Sequence, residues 1–151
     1  MANRYAAAGR TVATAATADN CASNLWNPDA NKSIYLREVW IFATTAAAIN
    51  LGIERCSTEG TVTTAVTPDA DNAFDRRATP PSSANVNVDF SAEPTMQGPY
   101  MLRAISAAQI GAGWIFSFPQ PIEIPAGTGI ALNTTQAAAF PASDVTYVWD
   151  E

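Results

Sequence analysis

Fourteen acidic side chains and no histidine set the chemistry open to this 151-residue chain. Without an imidazole there is no Ser–His or Cys–His nucleophile pair, and no side chain whose ordinary pKa lies near neutrality. Proton transfer would then fall to two carboxylates facing each other across a cleft, as in glycoside hydrolysis. No spacing in the sequence sets two acids in that relation. Glu123 projects from a strand between Ile122 and Ile124 and reads as the outward residue of an amphipathic strand. Glu38 follows Arg37 and reads as half of a structural charge pair. Lys32, the one lysine, stands beside a turn with no apolar segment to depress its pKa. The expectation is no catalytic residue and no enzyme.

Metal and cofactor chemistry fares no better. Asp69, Asp71 and Asp75 have the look of a calcium loop, but Ala73 stands where a ligand is needed and Phe74 where the loop needs glycine. A solvated acidic loop is the expectation. Cys21 and Cys56 belong to no C-x-x-C pair, so no zinc site is read. They are expected as two buried free thiols, with a disulfide between them as the alternative. Gly111 and Gly127 open no helix, so no phosphate cradle is implied. The tryptophans Trp26, Trp40, Trp114 and Trp149 suit a sugar-stacking platform in principle; in strand alternation such residues are usually core or interface anchors.

Charge and composition narrow the partners. The formal net charge is −6 and the pI about 4.4, and the seven arginines are scattered except for Arg76 and Arg77. A phosphate-binding stripe needs clustered cations, so direct nucleic-acid binding is not expected. Charged residues make up only 15% of the chain, below the usual quarter, which leaves a surface of Ala, Thr, Ser and Asn suited to being covered by partners. Arg4 and Arg10 interrupt the alanines of MANRYAAAGR, and no window is apolar enough to span a bilayer. The expectation is a soluble protein with no membrane contact.

The elements that would position these residues read as strands throughout. The organising stretch is residues 114–133, WIFSFPQPIEIPAGTGIALN. Trp114, Phe116 and Phe118 alternate with Ile115 and Ser117, Pro119 and Pro121 should stop that ladder, and Pro125-Ala126-Gly127 should turn the chain toward the inward pair Ile130 and Leu132. In SIYLREVWIF, strict alternation puts Ile34, Leu36, Trp40 and Phe42 on one face and Tyr35, Val39 and Ile41 on the other. Ile49, Leu51 and Ile53 follow closely enough to suggest a hairpin. TVTTAVT at residues 61–67 suggests an edge strand, residues 68–83 a long loop, Val86-x-Val88-x-Phe90 a strand, residues 101–106 a weaker one, and Val145, Tyr147 and Trp149 the last strand. Residues 1–20 carry almost no large apolar side chain. They read as an arm, frayed or ordered on another chain, attached to one domain over residues 21–151. The fold class expected is all-β, an antiparallel, jelly-roll-like β-sandwich with an extended N-terminal arm. An immunoglobulin-like sandwich is the alternative, although Cys21, Trp40 and Cys56 sit closer together than that fold places them.

The runs GAGWIFSFPQPIEIPAGTGIALN and LREVWIFATT and the ending VTYVWDE make the chain, from about Leu25 onward, resemble the head decoration (cement) proteins of tailed bacteriophages. The resemblance implies a homotrimer made in the host cytoplasm that sits on the outer capsid surface of the virion, bridges major capsid protein subunits, and has no enzyme activity and no cofactor. It carries over no site residue. The alternative expectation is a phage fibre or receptor-binding module, or a carbohydrate-binding β-sandwich.

Overall fold

The computed structural model describes residues 3–74 and 82–151. The Arg76-Arg77 pair, Asp75 and much of the long loop expected at residues 68–83 lie outside the described residues. Ten strands account for the regular structure: β1 (Arg4–Arg10), β2 (Cys21–Asn27), β3 (Ile34–Ala43), β4 (Asn50–Cys56), β5 (Thr61–Val66), β6 (Asn85–Ala92), β7 (Met96–Ile105), β8 (Gly113–Ile124), β9 (Thr128–Thr134) and β10 (Ser143–Asp150). One 3-10 turn, Ala70–Asn72, is the only helical piece among the described residues.

All strand pairs are antiparallel and fall into two sheets, β1-β10-β3-β8 and β5-β6-β2-β9-β4-β7. The first strand pairs with the last, the second with the next to last, and so inward through β3 with β8 and β4 with β7. Successive pairs alternate between the two sheets. A chain folded back as one long ladder and then rolled this way is a jelly roll. The hairpin β5–β6 is inserted at the tip of that ladder and widens the second sheet, with the threonine-rich β5 at its edge as expected. Both sheets turn their inner faces to a common core that includes Leu25, Ile41, Leu51, Ile53, Tyr147 and Trp149.

Four expectations are corrected. Residues 4–10 are not an arm: they form β1, which pairs along its whole length with β10 of the same chain. The anchor is Tyr5, fully buried and stacked on Trp149 with ring centroids 5.9 Å apart. Burial of a side chain of this size stabilises by roughly 1.5–3 kcal/mol, enough to hold an otherwise alanine-rich strand. The close pair β3 and β4 is not a hairpin, because the small-residue link at residues 44–49 carries the chain from one sheet to the other. The stretch 114–124 is one strand, β8, not two. Its ladder does lapse where proline lacks an N–H: Ile122 pairs Leu36 and the next partners are Ser117 and Glu38. An edge position in the sheet makes Pro119 and Pro121 tolerable there.

The fourth correction concerns β3. Ile34 and Leu36 face the core as expected, but so do Val39, Ile41 and Ala43, while Trp40 faces out. Both neighbours of β3 skip Arg37: β10 pairs Val148 with Glu38 and Trp149 with Leu36, and β8 jumps in the same interval. Arg37 is a bulge residue, and one extra residue inverts every side chain beyond it.

Candidate functional site

The bulge builds the most structured polar site among the described residues. It places Arg37 and Glu38 on the same outer face, opposite the ends of β10 and β1. The Arg37 Nε donates to Asp150 Oδ2 at 2.6 Å, and Arg4 Nε donates to Asp150 Oδ1 at 2.7 Å. Asp150 is only 8% exposed at its side chain. Burial works against its charge, but the two guanidiniums prevail and hold the carboxyl below its ordinary range. Glu38 takes no part in that pairing. Its Oε2 accepts the Trp40 indole N–H at 2.8 Å, which pins the ring on the sheet surface. Glu38 is therefore not the partner of Arg37 that adjacency suggests.

These residues line an open cleft of about 470 Å³, bounded by Arg4, Glu38, Trp40, Phe74, Val148 and Asp150. Phe74 is fixed beside β1 by its N–H, which donates to the Arg4 carbonyl at 2.7 Å. Trp40 is 37% exposed; Trp26 and Trp149 are buried and Trp114 is half-buried. Of the four tryptophans weighed as a platform, the fold leaves one at an open cleft.

The strands at one edge of each sheet, β7 and β8, carry a second feature. Eight large hydrophobic residues are exposed among the described residues, and four of them, Met101, Ile105, Ile110 and Ile115, fall within positions 101–115. On these strands, Leu102, Trp114, Phe116, Phe118 and Ile122 are only partly buried against the core. Trp114 and Phe116 stack at 5.8 Å. This is the inward aromatic row expected from alternation, but at an edge the second sheet covers it on one side only.

The outer face of the six-stranded sheet carries a third feature that the sequence reading passed over. Glu54, 3% exposed, accepts from the Asn133 Nδ2 across the β4–β9 pair. Desolvation raises its carboxyl pKa, the Asn133 hydrogen bond opposes this, and nearby Asp19 adds to it. Asp19 holds a left-handed backbone (φ 65°) and accepts the Tyr100 hydroxyl. Alternation with the core residues Leu51 and Ile53 turns Glu54 to the outside of the sheet. The cover over that face comes from residues far along the chain, the half-buried Tyr100 among them.

The other weighed residues are kept apart. Glu123 is exposed and accepts from Ser33 Oγ at 2.8 Å, and Lys32 is exposed at its turn. Asp69 accepts the backbone N–H of Asp71 at 2.8 Å. Cys21 and Cys56 are both buried free thiols in a small cluster with Trp26 and Ala131. Burial pushes Cys21 well up and Cys56 to about 12. A disulfide between them is excluded by register: Cys21 pairs Asn133 and Cys56 pairs Gly129 of the same strand β9. An offset of four residues is ~13 Å along a strand, against a Cα limit of ~7 Å for a disulfide. No helix among the described residues is long and apolar enough to cross a membrane. No protein family, curated protein or solved structure matches the chain.

Proposed function

We propose that this protein is a structural component of a bacteriophage virion, a homotrimeric decoration protein that sits on the outer capsid surface and bridges major capsid protein subunits. The observation that carries this reading is the exposed apolar content of β7, β8 and the link between them: four of the eight exposed large hydrophobics of the described residues fall within positions 101–115, and the aromatic row of β8 is only half covered. A half-covered aromatic row at a sheet edge, with exposed apolar residues on the same strand, marks an interaction surface more often than scattered single residues do. Strands β7 and β8 dock on the major capsid protein. A net charge of −6 suits the outside of a shell and not its DNA-filled interior. The jelly-roll body and the resemblance of its strand-forming runs to decoration proteins support the same reading.

The test adds purified protein to phage shells that lack a decoration layer, with its mass measured by light scattering. The expected result is a trimer that binds shells stoichiometrically, and at least tenfold weaker binding by the double variant Ile105→Asp, Ile110→Asp. Both side chains are exposed, so the variant folds. A strict monomer that leaves every shell bare sinks the proposal.

A further inference from the structure

The cleft on the outer face of the four-stranded sheet is not explained by a role in capsid bridging, and its chemistry is specific. Its polar groups cancel. Arg4 on the lining and Arg37 beside it carry two positive charges against the two negative ones of Glu38 and Asp150, so these described residues balance with no net formal charge. A phosphate, a carboxylate or a cation gains nothing there beyond what the residues already give each other. What remains on offer is a set of directed hydrogen-bonding groups beside aromatic surface. Glu38 spends Oε2 on the Trp40 indole and keeps Oε1 as an acceptor. Arg4 spends Nε and Nη2 on Asp150, at 2.7 and 3.3 Å, and with five N–H donors keeps others free on a side chain that is half exposed. Trp40, with its N–H already satisfied, has only its ring left to give, and Phe74 and Val148 complete the apolar wall.

A carboxylate oxygen and a guanidinium N–H next to an indole match one kind of neutral ligand. Adjacent hydroxyls of a pyranose donate to the first and accept from the second, while the C–H face of the ring covers aromatic carbon. The cavity of about 470 Å³ lies in the ~300–1,000 Å³ range of small-ligand sites. The groups are also held in advance: Asp150 clamps both arginines and Glu38 clamps the indole, so little side-chain entropy remains to be lost. We propose that this cleft binds a neutral saccharide of one or two rings, stacked on Trp40 and bridged by Glu38 and Arg4.

The experiment is a titration of the full chain, labelled with 15N, with glucose, galactose, mannose, N-acetylglucosamine, maltose and cellobiose, reading the indole Nε1–H signals and tryptophan fluorescence. The expected result is a saturable shift of the Trp40 indole signal with at least one of these sugars. Its Kd should be on the order of 1 mM, as befits a single open cleft, and the Trp26 and Trp149 signals should stay in place. Trp40→Ala should weaken binding at least tenfold. Glu38→Gln, which keeps the shape and loses the charge-assisted bond, should weaken it several-fold and serves as the reporter if Trp40→Ala does not fold. Glucuronic acid should bind no better than glucose. The proposal is overturned if no sugar gives a saturable shift up to 100 mM, if Glu38→Gln binds as well as the parent, or if the acidic sugar is clearly preferred.

Discussion

Two buried carboxylates respond to pH in opposite senses, and both responses are measurable. Asp150 is depressed below its ordinary value near 3.8 by Arg4 and Arg37, so its ion pairs stabilise the fold above that value and the contribution is lost as pH falls through the lower folded value. Asp150→Asn should cost about 1–2 kcal/mol at pH 7 in urea unfolding, a figure held down because both arginines are a third or more exposed. That cost should shrink as the pH falls below 3.8 and disappear once the carboxyl is protonated in the folded protein too. Glu54 is raised by burial above its ordinary 4.5, so its ionisation weakens the fold, and stability falls as pH climbs from 4.5 through the folded value. Glu54→Gln should be more stable than the parent at pH 8 and indistinguishable from it at about pH 3, by thermal unfolding at both pH values. Equal behaviour of parent and variant across that range would refute the assignment. Tyr5 is the third telling residue. Tyr5→Ala should cost about 3–5 kcal/mol, the usual toll for a fully buried aromatic, where a frayed terminus would lose nothing.

The bulge in β3 is the element that decides which side chains reach the outside. Because Arg37 is one residue more than pairing with β10 needs, deleting it should restore an unbroken ladder with that strand, with Val39 and Ile41 still inward. That deletion should leave a folded protein, weaker by about 1–2 kcal/mol through the lost Arg37–Asp150 pair. Deleting Val39 instead, with the bulge in place, throws Ile41 and Ala43 outward and forces the larger rings of Trp40 and Phe42 inward. That overpacking should leave the variant unfolded where the Arg37 deletion is folded. Far-UV circular dichroism of the two variants gives the answer: similar spectra for both would refute the bulge. Strand β1 is the second decisive element. Removing residues 1–10 exposes the whole edge of β10, including half of the Tyr5–Trp149 stack, and should abolish cooperative unfolding.

At the scale of the molecule, the inverted pairing of first strand with last closes the sandwich at both its ends, and the thiols are locked inside one outer face. Neither Cys21 nor Cys56 should react with a thiol reagent in the native protein, and two thiols should appear in denaturant. A reductant should leave the melting temperature unchanged. Two surfaces then present different chemistry. The row Trp114, Phe116 and Phe118 on β8 is apolar and half covered, while the outer face of β1, β10 and β3 carries paired charges beside Trp40.

Period-two alternation of apolar residues, with proline and glycine between the runs, was enough by itself to specify an all-β sandwich. It located β9 and β10 and the stretch of β8, identified Ile130 and Leu132 as inward, and set Val145, Tyr147 and Trp149 at alternate places of one strand, because a pleated strand sorts its side chains by parity alone. Parity fails wherever one residue is added, and nothing local in YLREVW marks Arg37 as extra; the phase of Trp40 was set by ladders from residues 113–124 and 143–150. Long-range pairing also decided what covers each face. It turned an alanine-rich terminus into a sheet strand, separated two cysteines by their register on a shared neighbour, and buried a glutamate on the outer face of its sheet. Within an unbroken run the sequence determines which side chains share a face, because the pleat repeats every two residues; only the assembled sheets decide where a run changes phase and what lies against each face.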